Sequence, residues 1–291
     1  MTKRSVYLPK ATRPFFKRKE ISCEFAPDTR KSKRAQTVCD AWQALHPEQS
    51  ILDVSIHSPS ESGQKLAREN LSLRLATLRK AFCVSTIELA SKTFKNGGPY
   101  VDLLGTPLKE AKNDPRLKDS GKIVHYSLEG RQYPCEPDYL YFHWLYIMAL
   151  MDNPGSATLV KNTDAFCDID FDWEHESNTP AQSCAIFHTL AKQNLLKQAK
   201  DFNTFKEMMM SFDISHIKDQ AQKAEVPITL DAMRSPERVT SFPVGTWIMH
   251  PTIGTGEVIK RTPTSYIIRF RVSGPKTLAR DFVERNCKKI R

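Results

Sequence analysis

The stretch SKTFKNGGPYVDLLGTPLKEAKNDPRLKDSG, Ser91 to Gly121, concentrates residue types that grip a polar ligand. Gly97 and Gly98 permit close backbone approach and positive φ, and Pro99 stiffens the exit from the turn. Lys92, Lys112 and Arg116 supply cations able to hold phosphate. Tyr100 offers a ring for a base or ribose, while Asp102 and, upstream, Asn70 offer groups for sugar hydroxyls. If the preceding segment is helical, Ser85, Glu88 and Lys92 lie on one face, since Glu88 is i+3 from Ser85 and Lys92 is i+4 from Glu88. The competing reading is an ordinary helix-to-strand turn followed by a solvated charged helix, with Glu88 and Lys92 as a surface ion pair.

The elements that must position these residues read as a mixed set. Residues 1–34 form a basic arm leading into a strand in which Ile21, Cys23 and Phe25 alternate. Gln36 to Leu45 patterns as a short amphipathic helix, Ile51 to Ile56 as a strand, and Pro59 to Gly63 as a loop. Leu66 to Phe94 holds a strand and then the helix before the glycine loop. Val124 to Leu128 is a strand closed by the turn signal Glu129-Gly130. Asp138 is placed to N-cap a nearly all-apolar, hence buried, helix running to Met151. In Cys167 to Glu176 strict alternation puts Asp168, Asp170 and Asp172 on one strand face and Ile169, Phe171 and Trp173 on the other. That face is either a solvated edge or an acidic rim on a pocket. Gln182 to Lys200 closes the first domain as an amphipathic helix. A polar, Met-rich helical linker follows, its exit punctuated by Pro227, Pro236 and Pro243.

Charge is distributed unevenly along the 291 residues. The net value is +10, but residues 1–34 carry eleven Lys and Arg against three Asp and Glu, and residues 240–291 carry ten against three. The body between them is therefore mildly acidic. Basic ends on an acidic body suit a polyanionic partner, nucleic acid above all; the competing reading is that they only solubilise. The seven cysteines form no C-x-x-C pair, which argues against a disulfide framework and a structural zinc site. No apolar run approaches a membrane span and no signal-peptide core is present, so a cytoplasmic address is expected.

Several blocks carry a family resemblance. SKTFKNGGPYVDLL followed by AKNDPRLKDSG is similar to the signature of NADAR-type proteins, in the branch of antitoxins found beside DarT-like ADP-ribosyltransferase toxins. ILDVSIHS (Ile51 to Ser58), EPDYLYFHWLYIMAL (Glu136 to Leu150) and DAFCDIDF (Asp164 to Phe171) resemble further blocks of that branch in the same order, as Glu24 to Val38 does loosely. The likeness spans Ser5 to about Lys200 and implies an α+β, NADAR-like domain at 35–205, entered through 1–34. It also implies cleavage of an N-glycosidic bond, releasing ADP-ribose from a modified guanine in nucleic acid, without metal or cofactor. A carboxylate would stabilise the cation-like sugar carbon, and cations would hold the phosphates.

The chain departs from the family at the chemistry. Ser85 stands where the family has an acid, Glu69 where it has Phe, and Asn178-Thr179-Pro180-Ala181 where it has Asn-Cys-Gln-Ala. Glu88, one turn along, either replaces the lost carboxylate or pairs with Lys92. The resemblance thus assigns Ser85, Glu88 and Lys92 to catalysis. Binding falls to Asn70, Gly97, Gly98, Pro99, Tyr100, Asp102, Lys112, Arg116, Asp168 and Asn178. The alternatives are a turnover-deficient ADP-ribose binder and a transcription-associated binding protein.

After a helical linker at 206–240, residues 241–291 change character. Four or five short strands in about 40 residues suggest a small all-β, SH3- or Tudor-like barrel. VGTWIMHPTIGTGEVI resembles the barrel opening of UvrD-type helicase tails and CarD-like transcription factors, which makes RNA polymerase or nucleic acid an expected partner. A lone His250 in such a motif is more often structural than a ligand.

Overall fold

In the computed structural model, residues 2–171, 177–211, 213–225, 242–250, 253–262, 265–270, 274–279, 283–284 and 287–290 are described. Asp172, Trp173, Pro227 and Pro236, part of the linker and part of the barrel motif lie outside them. The chain divides into two units, Met1–Glu225 and Val226–Arg291.

The first unit is built on a four-stranded sheet in the order β2-β1-β9-β3, from β1 (Thr2–Pro9), β2 (Phe16–Cys23), β3 (Ile51–Asp53) and β9 (Ala165–Cys167). β1 pairs antiparallel with β2 and β9, whereas β3 and β9 run parallel. Alternation along the central strands sorts the two faces. Val6, Ala165 and Cys167 pack under helix α1 (Lys31–Leu45) with Val38 and Trp42, while Tyr7 and Phe166 point into the main core. The basic arm expected from the sequence is therefore a two-stranded hairpin. Lys3, Lys10, Lys17 and Arg18 are exposed, Arg4 and Lys19 lie half-buried against Phe25 and Trp42, and Val6, Tyr7 and Ile21 hold the hairpin to the domain.

Helix α2 (Glu61–Leu66) begins at Ser60, whose Oγ accepts the Gly63 N–H at 3.1 Å, so the segment read as a loop is helical. A hairpin of β4 (Ser72–Leu75) and β5 (Lys80–Cys83) leads into α3 (Val84–Ser91). Next comes a sheet of β6 (Lys92–Phe94), β7 (Ile123–Leu128) and β8 (Arg131–Pro134). Between β6 and β7 lie a 3-10 turn (Val101–Gly105), α4 (Leu108–Lys112) and α5 (Arg116–Asp119). Helix α6 (Tyr139–Asp152) runs through the core, with Leu140 to Ile147 all buried. Asp138 does not cap it by a side-chain bond; its carboxylate accepts the Ser177 hydroxyl at 2.5 Å.

α7 (Pro154–Lys161), α8 (Pro180–Lys192) and α9 (Leu196–Ala199) complete the wall around α6. α8 opens with a capping box between Thr179 and Gln182. The strand expected over Cys167 to Glu176 stops at Cys167, because the Asp168 carboxylate accepts the Asp170 N–H at 2.9 Å and turns the chain. Residues 206–225, read as linker, belong to the first unit. α10 (Phe202–Met210) and α11 (Ser215–Glu225) bury Phe205, Met208, Met209, Ile217 and Ala221 in the main core.

The second unit is all-β. Strands β10 (Trp247–His250), β11 (Gly254–Arg261), β12 (Ser265–Phe270), β13 (Gly274–Ala279) and β14 (Lys288–Lys289) form an antiparallel sheet in the order β13-β12-β11-β10-β14. Ile248, Val258, Tyr266, Ile268 and Phe270 make a core compatible with a small barrel. His250 is buried and its Nδ1 accepts the Ile253 N–H at 3.1 Å, which fixes the β10–β11 turn. Among the described residues no helix is long and apolar enough to cross a membrane.

Candidate functional site

A cleft opens where the parallel strands β3 and β9 end. Chain segments leaving the carboxyl ends of adjacent parallel strands diverge and leave a crevice. Asp53, fully buried at the end of β3, ties the two exits together. Its carboxylate accepts Ser55 N–H and Oγ–H at 3.1 and 2.6 Å and Ile169 N–H at 2.9 Å. Burial pushes its pKa up, against the pull of those bonds. Beyond this clasp, Ser55 to His57 with Asp168, Asp170 and Phe171 line a lobe of about 220 Å³, with Lys31 at its rim.

A second lobe, about 430 Å³, lies along α3 and is lined by Ser85, Glu88, Leu89 and Lys92, with Tyr126 and Asp138 facing them. Arg68, Lys112 and Asn178 border both lobes, so the two are one cleft with cations at its junction. Arg68 is brought there by its carbonyl, which accepts the Ser85 N–H at 2.9 Å. Lys112 reaches Glu69 at 3.0 Å, and Lys92 stands 4.0 Å from Glu88. The Ser85 hydroxyl is buried in the lobe wall with no hydrogen-bond partner, an energetically expensive state. Burial, then the nearby charge of Glu88, raises the Tyr126 pKa, so its hydroxyl stays a donor.

The other lobe holds two aspartates with opposite behaviour. Burial, helped by Asp53, lifts the Asp168 pKa to about 7 despite a 2.6 Å bond from Thr179 Oγ1. Asp170 is also penalised by burial, but Lys31 Nζ at 2.6 Å and His57 Nδ1 at 2.7 Å outweigh it and hold its pKa below the ordinary value. A buried acid with a raised pKa loses stability as pH climbs from its unfolded value, near 4, to its folded value, because the unfolded chain ionises first. Asp168→Asn is therefore expected to gain on the wild type between about pH 4 and pH 7, reaching roughly 2–4 kcal/mol and then levelling. Its amide still donates to Thr179 and accepts from Asp170. Urea unfolding at several pH values checks this, and a stability gap that does not change with pH would refute it.

Several residues singled out in the sequence sit elsewhere. Gly98 has φ +83°, and a Cβ there would fall 2.5 Å from the Lys92 carbonyl oxygen; one on Gly97 would meet the Tyr100 hydroxyl at 2.2 Å. The glycines serve close approach, as expected, but to the protein's own chain: the Gly97–Pro99 turn backs β6, where Lys92 starts. Arg116 stacks on Tyr100 at 4.5 Å and bonds Asp102 and Asp114 at 2.6 and 2.8 Å, while the Tyr100 hydroxyl bonds Ser120. The hydrogen bonds from Arg116 hold both aspartates below their ordinary pKa. Asn70 donates to the Gln64 carbonyl at 2.8 Å. None of Asn70, Gly97, Gly98, Pro99, Tyr100, Asp102 and Arg116 lines either lobe. Tyr100, Asp102 and Arg116 brace one another instead, whereas Ser85, Glu88, Lys92, Lys112, Asp168 and Asn178 converge on the cleft.

Sequence reasoning missed Arg68, His57 and Asp138 as cleft residues, and left Asp170 between a solvated edge and an acidic pocket rim. Arg68 was visible only as the neighbour of Glu69 and Asn70, and His57 only as the end of the β3 block. No described group of His, Cys, Asp and Glu is arranged to hold a metal ion.

The first unit is thus an α+β domain with a polar cleft that combines carboxylates, cations and an orphaned hydroxyl. The model of the DarT1-associated NADAR antitoxin family matches residues 2–219, and the chain belongs to that family. No curated protein matches it at a significant level. The match reaches into α11, in agreement with the burial of α10 and α11 in the first unit.

Proposed function

We propose that the protein is an antitoxin-type N-glycosidase that removes ADP-ribose from a modified nucleobase in nucleic acid. The observation that carries this reading is the convergence of Glu88, Lys92 and the unpartnered Ser85 hydroxyl on one lobe, joined through Arg68 and Lys112 to a second lobe rich in carboxylates. An ADP-ribose fits that order of groups. The ribose bearing the scissile bond lies along α3, the pyrophosphate at Arg68 and Lys112, and the adenosine toward His57, Asp168 and Asp170.

In this arrangement the Glu88 carboxylate stabilises positive charge on the sugar carbon as the base departs, and it orients the incoming water. Lys92 and Asn178 hold ribose or phosphate oxygens, and Ser85 donates to a sugar hydroxyl. Burial favours the protonated form of Asp168, so it can donate to one hydroxyl while Asp170 accepts from another. Ser85 in place of the family's acid favours a second reading, in which the cleft binds ADP-ribose without turnover.

Incubation with DNA carrying ADP-ribosylated guanine, followed by chromatography, separates the two. The glycosidase reading expects free ADP-ribose and restored guanine. Saturable ADP-ribose binding with no release over hours would leave only the sensor. RNA polymerase remains a candidate partner of the all-β unit, to be tested by co-purification with and without residues 241–291.

A further inference from the structure

A larger cavity, about 510 Å³, lies at the far end of α6 and has no part in the chemistry above. Arg74 from β4, Arg131 from β8 and Lys200 after α9 converge on it, and all three are exposed. Two carboxylates share the site, but each already serves the β4–β5 hairpin. Glu129 accepts the Thr77 N–H at 2.7 Å, and Asp152 accepts the Arg74 N–H at 2.9 Å. The floor is aromatic: Tyr133 and Trp144, both largely buried, line it with their ring centroids 4.9 Å apart, beside Met148 and Met151.

Cations around an aromatic floor recognise a ligand that carries both negative charge and a π face. A buried apolar pocket would lack the cations, and a plain phosphate site would have no use for the rings. We propose that this cavity binds a nucleotide unit, its phosphate paired with Arg74, Arg131 and Lys200 and its base laid against Tyr133 and Trp144. The unit is either a free nucleotide or one nucleotide of a strand.

Distance favours the strand. Asp138, just before α6, borders the cleft, and Met151, in its last turn, borders this cavity. At 1.5 Å per residue the two ends are about 20 Å apart. That span equals roughly six steps of a strand at duplex spacing, ~3.4 Å each, and fewer steps of an extended single strand. The cavity thus fixes the register of a polymer whose modified base enters the cleft. The binding itself does not depend on the cleft's chemistry, because unmodified strands reveal it.

The test is fluorescence anisotropy of the full chain with a labelled, unmodified twelve-nucleotide single strand and, separately, with AMP. The triple variant Arg74→Glu, Arg131→Glu, Lys200→Glu is expected to lower strand affinity at least tenfold. It should also flatten the dependence of log K on log salt by about 2, at roughly 0.7 per phosphate contact. A control with the same change of charge, Lys118→Glu, Lys161→Glu, Lys192→Glu on α5, α7 and α8, away from both the basic ends and the cavity, is expected to lower it less than threefold. The milder Arg131→Ala guards against misfolding and should cost three- to tenfold. Strands containing 5-iododeoxyuridine should crosslink to peptides bearing Tyr133 or Trp144. AMP binding that Arg131→Ala abolishes would support the site with a free nucleotide as its source. Equal losses in the two triple variants would overturn the proposal, as would Arg131→Ala within twofold of wild type for both probes.

Discussion

Glu88→Gln is expected to lower the rate of ADP-ribose release by about 10²–10⁴-fold while leaving the affinity for ADP-ribose within a few-fold. The amide keeps the size and the hydrogen-bonding reach of the side chain, so ground-state contacts survive. What disappears is a negative charge beside a sugar carbon that turns positive only in the transition state. Lys92, 4.0 Å away, sharpens the test. Lys92→Ala removes contacts present with substrate and transition state alike, so KM should rise and kcat/KM fall together. Single-turnover assays on ADP-ribosylated DNA, paired with calorimetric ADP-ribose titrations, separate these patterns. A fully active Glu88→Gln variant would dismiss Glu88 as the family acid's replacement.

Phe205→Ala is expected to destabilise the first unit by about 3–5 kcal/mol, the range for emptying a buried aromatic position. Phe205 is fully buried in the same core as Tyr133, Trp144 and Phe202, on a helix that runs on into the segment read as a linker from residue 206. A linker residue would tolerate the change within about 0.5 kcal/mol. Urea unfolding of residues 1–225 and of the full chain should report the same loss. A loss below about 1 kcal/mol in both would mean that α10 does not belong to the folding unit.

What the sequence disclosed, and what it hid, follows from how each segment is stabilised. Helix α6 was legible because an almost unbroken apolar run can only be buried, and β7 because its alternation ends at Glu129-Gly130. The β1–β2 hairpin was masked by its own charge: Lys and Arg crowd both strands, leaving Val6, Tyr7, Ile21 and Cys23 as a sparse inner pattern. The run after Cys167 alternates like a strand, yet a side-chain-to-backbone bond from Asp168 ends it, and periodicity does not register such bonds. At the cleft, the blocks hold residues that line it beside residues that do not, because spacing does not give the face each side chain presents. Tyr100, Asp102 and Arg116 have the composition of a ligand grip and spend it on one another. Arg68 enters the cleft through a backbone contact with Ser85 that no local pattern encodes.

The carboxylate of Asp53 bonds to both strand exits that frame the cleft, at Ser55 and at Ile169. Inherited variation in this protein must respect that clasp. A loop borrowed from a relative for the β3 exit arrives with its own demands on Asp53 and leaves the β9 exit unpaired unless its counterpart comes with it. The segments carrying His57 and Asp168 therefore form a single exchangeable cassette, and chimaeras that swap one without the other are the ones expected to lose the cleft.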